Sequence, residues 1–310
     1  MWGGILKHIE GDDITLIHYD LRFIGNEYNG HSMKLPSWIE RKAEVYVLVS
    51  LLYPYQYEEV KGKLVSGGYK ENQIIHVRDL SEQLLDIHAE YYAQNKMDLK
   101  VKELFDSIGK DISTIKYIDI GSNNYSLYNN TYLFYKNGAT GVLVEANPDF
   151  SEMLKKNRPK DMVLSAGCAA YTVESLKYYK TNRAGYNTFA ENRLNIFDKK
   201  GITVTEILSI PVYGINEILE KYFKDGHIDY MSIDIEGMDE EVLLALDFHK
   251  FSVDIILCEI EYDTDLSRKL FCKLIDMGYE VKWRGIGTAK DFLCYKKEIF
   301  QNNIGKINKE

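Results

Sequence analysis

The sequence predicts an α/β fold: a doubly wound, Rossmann-like sheet preceded by a smaller N-terminal α/β domain. Short β-branched runs alternate with stretches of helical periodicity along most of the chain, as strands and crossover helices do. The 310 residues are enough for two domains. Apolar residues make up 45% and charged residues 27%, which provides a sizeable core. We place the small domain at 1–98, a helical linker at 99–111 and the large domain at 112–300.

The small domain is predicted from three strands and one helix. The strands fall at 14–19, 44–50 and 73–77, and apolar residues at helical spacing mark a helix over 57–66. Gly67 and Gly68 would end that helix. Strand, helix and strand at this spacing predict a parallel crossover. The stretch 81–110 is predicted to be largely helical.

The large domain repeats the alternation more regularly. Strands are predicted over 116–120, 141–145, 162–165, 228–234 and 253–259, and two more at 279–283 and 291–295 could close the sheet. Helices are predicted over 130–136, 150–156, 239–246 and 267–277. Asp149 is the expected N-cap of the second of these helices. The polar region 171–212 is predicted to be irregular and to carry specificity, and a β-hairpin extending the sheet is the structural alternative.

Composition excludes several classes of protein. The formal net charge of −9 argues against a general nucleic-acid binder, because phosphate contacts need surplus Lys and Arg. The longest apolar run, at 45–53, is too short for a transmembrane helix, and no signal peptide is recognisable. The four cysteines form no CxxC pair, and three lie in apolar runs as buried thiols would. A reducing, cytoplasmic location is therefore expected.

The first two strands of the large domain end in residues suited to a nucleoside. Ligands of doubly wound sheets bind at the carboxyl ends of the strands. Gly121 follows the first strand without a complete GxGxxG, so the loop is poor for the pyrophosphate of a dinucleotide. Glu145 ends the second strand, where a carboxylate can accept hydrogen bonds from a ribose diol. An ordinary strand end with a turn glycine and a solvated Glu145 is the alternative.

The fourth and fifth strands end in paired acids. Asp234 and Glu236 are two residues apart, as are Glu259 and Glu261. A period of two places each pair on one side of its strand if the strand geometry continues, so up to four carboxylates could converge. Clustered acids favour a positive or hydrogen-bond-donating ligand: a sulfonium cofactor, a divalent cation or sugar hydroxyls. Alternatively, two of the four face solvent or cap the next helix.

Several motifs in register resemble one family, the FkbM-type S-adenosylmethionine-dependent methyltransferases, over about 112–297. The motifs are Tyr117-Ile-Asp-Ile-Gly-Ser-Asn123, Asn130-Thr-Tyr-Leu-Phe-Tyr135, Gly141-Val-Leu-Val-Glu-Ala-Asn-Pro148, Asn187-Thr-Phe189, Tyr230-Met-Ser-Ile-Asp-Ile-Glu-Gly237, Leu246-Asp-Phe248 and Cys258-Glu259. The resemblance implies a seven-stranded sheet with an antiparallel last strand, and O-methylation of a hydroxyl, commonly on a sugar or polysaccharide. Ser122 and Tyr125 depart from the family's usual Ala and Gly or Pro in the first loop.

This resemblance implies roles for individual residues. The S-adenosylmethionine site is expected to comprise Asp119, Gly121, Ser122, Asn123, Glu145, Ala146, Asn147, Gly167, Cys168 and Asp234. Asp234, Glu236 and Glu259 are the expected catalytic residues, as base and acceptor-binding groups, or alternatively as ligands of Mg²⁺. The acceptor is expected to contact Tyr186, Asn187, Thr188 and Glu261. His227 and His249 are less favoured bases, since neither follows a strand's carboxyl end.

The first domain resembles, more weakly, the Rossmann-like modules that bind nucleotides or sugar nucleotides beside sugar-modifying enzymes. The resemblance rests on a strand ending at Asp20, then Gly25, Asn29-Gly30, Pro36 and the segments 45–50 and 57–69. Met1-Trp-Gly-Gly would align just inside the first loop, so we expect a partial module, with a structural or docking role as the alternative.

Three functions compete on the sequence alone. The favoured one is an O-methyltransferase acting on a sugar hydroxyl in surface polysaccharide or glycoconjugate biosynthesis. Its partners would be a sugar, sugar-nucleotide or polysaccharide acceptor and, in a homo-oligomer, further copies of the chain. A nicotinamide-dependent oxidoreductase is the second function, which the missing glycine cradle disfavours. A non-catalytic Rossmann-like binding module is the third.

Overall fold

A computed structural model gives the architecture. It describes residues 16–17, 27–28, 31–34, 47–49, 61–62, 64–76, 91–197, 201–260, 264–284 and 291–300. The chain divides into two compact units, Met1–Ala89 and Glu90–Glu310. Among the described residues, no helix combines the length and apolar character needed to cross a bilayer.

The first unit contains two small sheets. Strands β1 (Leu16–Ile17), β2 (Glu27–Tyr28) and β3 (His31–Lys34) form one, with β3 in the middle. Strands β4 (Val47–Val49) and β5 (Ile74–His76) form the other and pair in parallel, which confirms the predicted crossover. Between them, residues 61–62 and 64–66 are helical, and Glu71–Gln73 forms a 3₁₀ turn. The rest of the predicted elements of this unit, with 81–90 of the helical stretch, lies outside the described residues.

Seven strands form the main sheet of the second unit. They lie in the order β14-β15-β13-β12-β6-β7-β8, and all are parallel except β15, which runs antiparallel to β13 and β14. This confirms the predicted doubly wound α/β class and the antiparallel last strand. The bounds are β6 Lys116–Ile120, β7 Thr140–Val144, β8 Met162–Leu164, β12 His227–Ile233, β13 Ser252–Glu259, β14 Tyr279–Arg284 and β15 Asp291–Lys296.

Helices cover both faces of this sheet. They are α1 Met97–Ser107, α2 Tyr132–Lys136, α3 Pro148–Asn157, α4 Leu194–Phe197, α5 Ile215–Tyr222, α6 Asp239–Ala245, α7 Asp265–Asp276 and α8 Lys297–Phe300. The predicted N-cap Asp149 is wrong. Asn147 caps α3, because Pro148 suits the first helical position and the Asn147 side chain accepts the Asp149 amide at 3.1 Å.

Helix α1 belongs to the core of the second unit. Its apolar side, with Val101, Leu104 and Phe105, packs in one cluster with Tyr117 and Phe134. A second cluster on the main sheet unites residues of β6, β12 and β13 with α5, α6 and α7. The predicted linker at 99–111 therefore lies mostly within α1, while the boundaries at 98 and 111 remain predictions.

A second, three-stranded sheet occupies the region that the sequence predicted to be irregular. Strands β10 (Val173–Thr181) and β11 (Val204–Gly214) pair as an antiparallel hairpin, and β11 pairs in parallel with β9 (Gly167–Ala169). The prediction of irregular structure is wrong because cross-strand pairing, rather than local sequence pattern, orders these polar strands. The hairpin of the structural alternative forms, but in a sheet of its own.

Candidate active site

The strand order reverses between β6 and β12, and their carboxyl ends meet there. After β6 the chain turns at Gly121, whose φ is +86°. A Cβ atom at Gly121 would lie 1.9 Å from the carbonyl oxygen of Asp234, so the two strand ends can approach only because this residue is glycine. Doubly wound sheets bind their ligands at such a switch point.

Asp119 lies beneath this turn in a buried polar network. Its Oδ2 accepts hydrogen bonds from the Thr131 hydroxyl at 2.9 Å and from the Asn129 amide at 3.3 Å. Burial raises the pKa of Asp119, while the nearby charge of Arg158 opposes that rise. The predicted contact of Asp119 with a cofactor stays a prediction, since the structure uses this side chain to fix the loop.

Arg158 completes this network without any solvent exposure. Its guanidinium group donates hydrogen bonds to four residues: Asp161 (2.8 Å), Asn129 (3.0 Å), Thr131 (3.1 Å) and the Tyr117 hydroxyl (2.8 Å). The sequence analysis did not identify Arg158, which lies in no strand-end motif. A charged residue just after a predicted helix gives no signal that it is buried.

Glu145 lies at the end of β7 with both carboxylate oxygens fixed by backbone amides. Its Oε2 accepts the amide of Asn123 at 2.7 Å, and its Oε1 accepts that of Asn147 at 2.7 Å. Burial raises the pKa of Glu145 to about 7, although these amides oppose the rise. Each oxygen of a carboxylate can accept more than one hydrogen bond, so Glu145 still offers sites to a diol.

The loop amides around Glu145 are already in use. Those of Gly121 and Ser122 donate to the Val144 carbonyl at 2.9 and 3.3 Å, and that of Asn123 donates to Glu145. A pyrophosphate would need such amides free to cradle its oxygens. The loop therefore fits a nucleoside without phosphates, as the sequence predicted.

The segment after β12 leaves strand geometry at once. The strand ends at Ile233, Glu236 has a φ of +57° and Gly237 a φ of +115°. Asp239, at the start of α6, holds this loop by accepting the amides of Ile235 at 3.0 Å and Gly237 at 3.1 Å. Burial raises the pKa of Asp239 to about 6, and these two hydrogen bonds oppose the rise.

Three of the four predicted acids nevertheless converge. Asp234, Glu236 and Glu259 each offer a carboxylate oxygen, and these oxygens lie within 4.8 Å of one another. The predicted convergence is correct for these three, although the condition on which it was predicted, that strand geometry continues, does not hold at Glu236. The turn at Glu236 brings its side chain to the cluster instead. Glu261 lies outside the described residues.

Asp234 carries a raised pKa within this group. Its Oδ1 is out of contact with solvent and has no hydrogen-bond partner among the residues that the structure describes. Burial raises the pKa of Asp234 well above its ordinary value, and the charges of Glu236 and Glu259 raise it further. A raised pKa makes the ionised form of this carboxylate a stronger base than an ordinary aspartate.

Asp291 adds a further acid to the group of Asp234, Glu236 and Glu259, and it was not predicted from the sequence. It lies opposite Glu259 where β15 pairs with β13, and its charge also contributes to the raised pKa of Asp234. Its Oδ2 accepts the side-chain amide of Asn95 at 2.9 Å. Only the pairing of an antiparallel strand brings Asp291 here, and strand order cannot be read from a sequence pattern alone.

The segment that was predicted to bind the acceptor packs over the loop after β12. The Thr188 hydroxyl donates to the Glu236 carbonyl at 2.8 Å, and Arg193 pairs with the Glu236 carboxylate at 2.8 Å. The Asn187 side chain accepts the amide of Thr181 at 2.8 Å. Tyr186 packs edge-on against Phe197. Acceptor binding by Tyr186, Asn187 and Thr188 stays a prediction.

Tyr178 belongs to the same region. It is 6% exposed, and its pKa is raised by burial and by the charges of Glu145 and Glu236. Its ring packs against Phe189, which in turn lies on the backbone of Gly167, where a Cβ atom would come within 2.5 Å of the Phe189 ring. Gly167 and Cys168 thus lie in β9 beside this aromatic pair, and Cys168 is buried.

The two histidines lie away from this site. His227 begins β12 and therefore lies at the opposite edge of the sheet, paired with Asp229 at 3.5 Å and Asp254 at 3.2 Å. His249 lies in the turn that precedes β13. All four cysteines are free, and Cys168, Cys258 and Cys294 are buried as predicted.

Comparisons with known proteins agree with this architecture. Residues 119–281, more than half of the chain, match the family described as the methyltransferase FkbM domain. No curated protein matches the chain in sequence.

Solved structures with a similar fold include three methyltransferases of low sequence identity. The methyltransferase domain of METTL16 is 15% identical, with 71% of this chain and 95% of that chain covered and a TM-score of 0.41. Human methyltransferase 10 domain containing protein is 15% identical, with 71% and 95% covered and a TM-score of 0.39. Precorrin-6y C5,15-methyltransferase from Geobacter metallireducens is 12% identical, with 66% and 93% covered and a TM-score of 0.34.

Proposed function

The chain belongs to the FkbM methyltransferase family, and from that premise we propose that it transfers a methyl group from S-adenosylmethionine to a hydroxyl of a sugar. The observation that carries the choice of a hydroxyl acceptor is the cluster of Asp234, Glu236 and Glu259 beside the switch point. Hydroxyls donate hydrogen bonds, and buried carboxylates accept them. A polyhydroxylated acceptor therefore suits this cluster of carboxylates, whereas the cluster would repel phosphate groups placed against it.

The cofactor supplies an electrophilic methyl group on a positively charged sulfur. Glu145 holds the ribose by accepting hydrogen bonds from its hydroxyls, with its own position fixed by the amides of Asn123 and Asn147. The acids beyond the switch point favour the positive charge. Holding both partners in line contributes on the order of 7–11 kcal/mol to lowering the barrier.

Asp234 is the proposed base. S-adenosylmethionine would supply the methyl group that passes to the acceptor oxygen, with the neutral thioether as the leaving group. The hydroxyl proton would pass to the Asp234 carboxylate, and the raised pKa of Asp234 makes its ionised form a stronger base than an ordinary aspartate. Glu236 and Glu259 bind the hydroxyl and its neighbour on the sugar ring.

The direct test is a methyl-transfer assay with a panel of acceptors. Free sugars, sugar nucleotides and short polysaccharide fragments are incubated with labelled S-adenosylmethionine, and an RNA oligonucleotide serves as the contrasting substrate. We expect label on a sugar oxygen and none on RNA. Label on RNA, or on nitrogen or carbon of any acceptor, would contradict the proposal.

A bound divalent cation is a second candidate role for the same acids. A hard cation takes carboxylate oxygens, and three of them lie within 4.8 Å of one another here. In that case Asp234, Glu236 and Glu259 would hold Mg²⁺, which would lower the pKa of the acceptor hydroxyl. Activity lost on dialysis against a chelator and restored by Mg²⁺ would favour this role, while unchanged activity would exclude it.

The expected setting of the reaction is the cytoplasm, in surface polysaccharide or glycoconjugate biosynthesis. The four free thiols suit a reducing compartment. Fractionation of cells that produce the chain, with assay of methyl transfer in each fraction, tests this location.

A further inference from the structure

Thr188 places a fixed hydroxyl against the loop that carries the acids. Its backbone pairs with that of Tyr179 through two hydrogen bonds of 2.9 and 3.2 Å, and the residue is 1% exposed. The hydroxyl donates to the Glu236 carbonyl at 2.8 Å and accepts the Ala190 amide at 2.9 Å. Both the position and the orientation of this hydroxyl are therefore determined.

Arg193 contacts Glu236 as well, and it also contacts the neighbouring Gly237. Its Nη2 lies 2.8 Å from Oε2 of Glu236. Its aliphatic arm lies on the backbone of Gly237, where a Cβ atom would be 2.8 Å from the Arg193 Cδ. Thr188 and Arg193 therefore contact the backbone and side chain of Glu236 and the backbone of Gly237.

These two loop residues adopt a backbone that an isolated loop would not keep. Glu236 has a φ of +57°, which is unfavourable for a residue with a Cβ atom, and Gly237 has a φ of +115°. Conformations of this kind persist only where the surroundings enforce them. Asp239 holds the loop from the side of α6, through the amides of Ile235 and Gly237. Thr188 and Arg193 hold it from the side of the hairpin region.

We propose that Thr188 and Arg193 are positioning residues that hold the Glu236 turn, and with it the carboxylate cluster, in the conformation used for methyl transfer. The inference rests on the proposed function for what the cluster does, but the coupling itself concerns only this chain. These contacts couple the conformation of the segment 187–193 to that of the loop 234–238. A change in this segment then alters the geometry of the acids as well as the acceptor contacts.

The test measures hydrogen exchange of the loop by mass spectrometry, on the full chain with S-adenosylhomocysteine bound. In Thr188→Val and Arg193→Gln, we expect exchange of peptides covering 234–238 to accelerate about tenfold, since each change removes one contact to the turn. Thr188→Ser and Arg193→Lys keep a hydroxyl and a cation, and should stay within about twofold of the parent chain. Arg268→Gln, which removes an exposed pair with Asp265 on α7, is the matched control.

The outcomes separate positioning from general destabilisation. Positioning requires faster exchange in the loop with unchanged exchange in peptides from β7 and with S-adenosylhomocysteine affinity within about twofold. Uniformly faster exchange across the unit, or loop exchange equal to that of Arg268→Gln, would overturn the proposal. If Thr188→Val does not fold, Arg193→Gln decides, because its side chain is partly exposed.

A kinetic measurement adds a readout that a purely structural role would not change. With the acceptor found in the methyl-transfer assay, Arg193→Gln and Thr188→Val should lower kcat about tenfold and leave the KM for S-adenosylmethionine unchanged, and the conservative variants should restore kcat. A wild-type kcat in both variants would overturn the proposal. Absence of methyl transfer to every sugar would contradict the proposed function, and the exchange result would still decide the coupling.

Discussion

Carboxylates on the two sides of the switch point differ in how their oxygens are hydrogen-bonded. On the cofactor side, both oxygens of Glu145 accept backbone amides at 2.7 Å. On the acceptor side, Oδ1 of Asp234 has no hydrogen-bond partner within the described part of the chain. Burial raises the pKa of both acids. The difference indicates that Glu145 has a fixed position, whereas no hydrogen bond within the described residues fixes Oδ1 of Asp234, an atom that is closed to solvent.

The charges that surround the carboxylates also differ between the two sides of the switch point. Arg158 lies beneath the cofactor side and opposes the rise in the pKa of Asp119. The charges that most affect the pKa of Asp234 all come from acids: Glu236, Glu259, Asp239 and Asp291. Arg193 reaches this cluster through Glu236, at the edge of the site. The acceptor side therefore gains most from a ligand that brings positive charge or hydroxyl protons.

Removal of Arg158 should have the largest effect. Arg158→Leu leaves Asp161 buried without its cation and removes the donors to Asn129, Thr131 and Tyr117. We expect a loss of about 5 kcal/mol in the free energy of unfolding, since breaking a buried pair leaves an uncompensated charge. Urea titration followed by circular dichroism measures it. Arg268→Leu, on the surface, should lose less than about 1 kcal/mol. Equal losses would show that the cofactor side does not depend on the buried cation.

Substitution of Asp234 should have the next largest effect, and only on catalysis. Asp234→Asn keeps the shape but removes the proton acceptor, so kcat should fall about 10³-fold. The dissociation constant of S-adenosylhomocysteine, measured by calorimetry, should change less than about threefold. Asp276→Asn, on the exposed end of α7, is the control. A kcat near that of the parent chain would remove Asp234 as the base.

The sequence predicted which residues follow the strands at the switch point, because those signals are local. Each strand end carries its functional residue, and alternation of strands and helices places those ends at one edge. Glu145 was selected in this way, because it directly follows β7. The fold class and the closing strands were predicted in the same way, from period and order along the chain. The convergence of Asp234, Glu236 and Glu259 was predicted on the condition that strand geometry continues, whereas the turn at Glu236 produces it.

The missed features arise from contacts between distant segments. Asp291 reaches the carboxylate cluster only through antiparallel pairing with β13, and Arg158 is buried only because Asp161 and Thr131 surround it. The hairpin of β10 and β11 depends on pairing between strands of polar sequence. The turn at Glu236 depends on Asp239, Thr188 and Arg193 together. No single pattern in the sequence contains these relations.

Removing the charge of Glu145 should have a smaller effect, and that effect is on the affinity for S-adenosylhomocysteine. Glu145→Gln retains one acceptor oxygen but lacks the charge, so the dissociation constant of S-adenosylhomocysteine should rise about 30-fold, or about 2 kcal/mol. Calorimetric titration measures it. The control is Glu152→Gln, which removes an exposed carboxylate on α3 paired with Lys155, and should leave the affinity unchanged. An unchanged affinity in Glu145→Gln as well would remove the cofactor assignment.

The smallest expected effect is the pH dependence of that same affinity. The folded-state pKa of Glu145 is raised to about 7, from an ordinary value of 4.5. The protonated form therefore prevails below pH 7, where it gives up acceptor capacity that the ribose hydroxyls need. Affinity for S-adenosylhomocysteine should fall about tenfold between pH 8 and pH 6 and level off above pH 8.

The free energy of unfolding changes with pH in the opposite direction to the affinity, and this helps to distinguish Glu145 from Asp234. A raised pKa means that the folded chain binds the proton more tightly than the unfolded chain, so Glu145 lowers the free energy of unfolding as pH rises from 4.5 to 7. Ligand binding recovers that loss by satisfying the carboxylate. Titrations at pH 6, 7 and 8 with the parent chain and Glu145→Gln separate Glu145 from Asp234. A flat affinity profile in Glu145→Gln assigns the titration to Glu145, whereas the same slope in both chains would move it to the acceptor side.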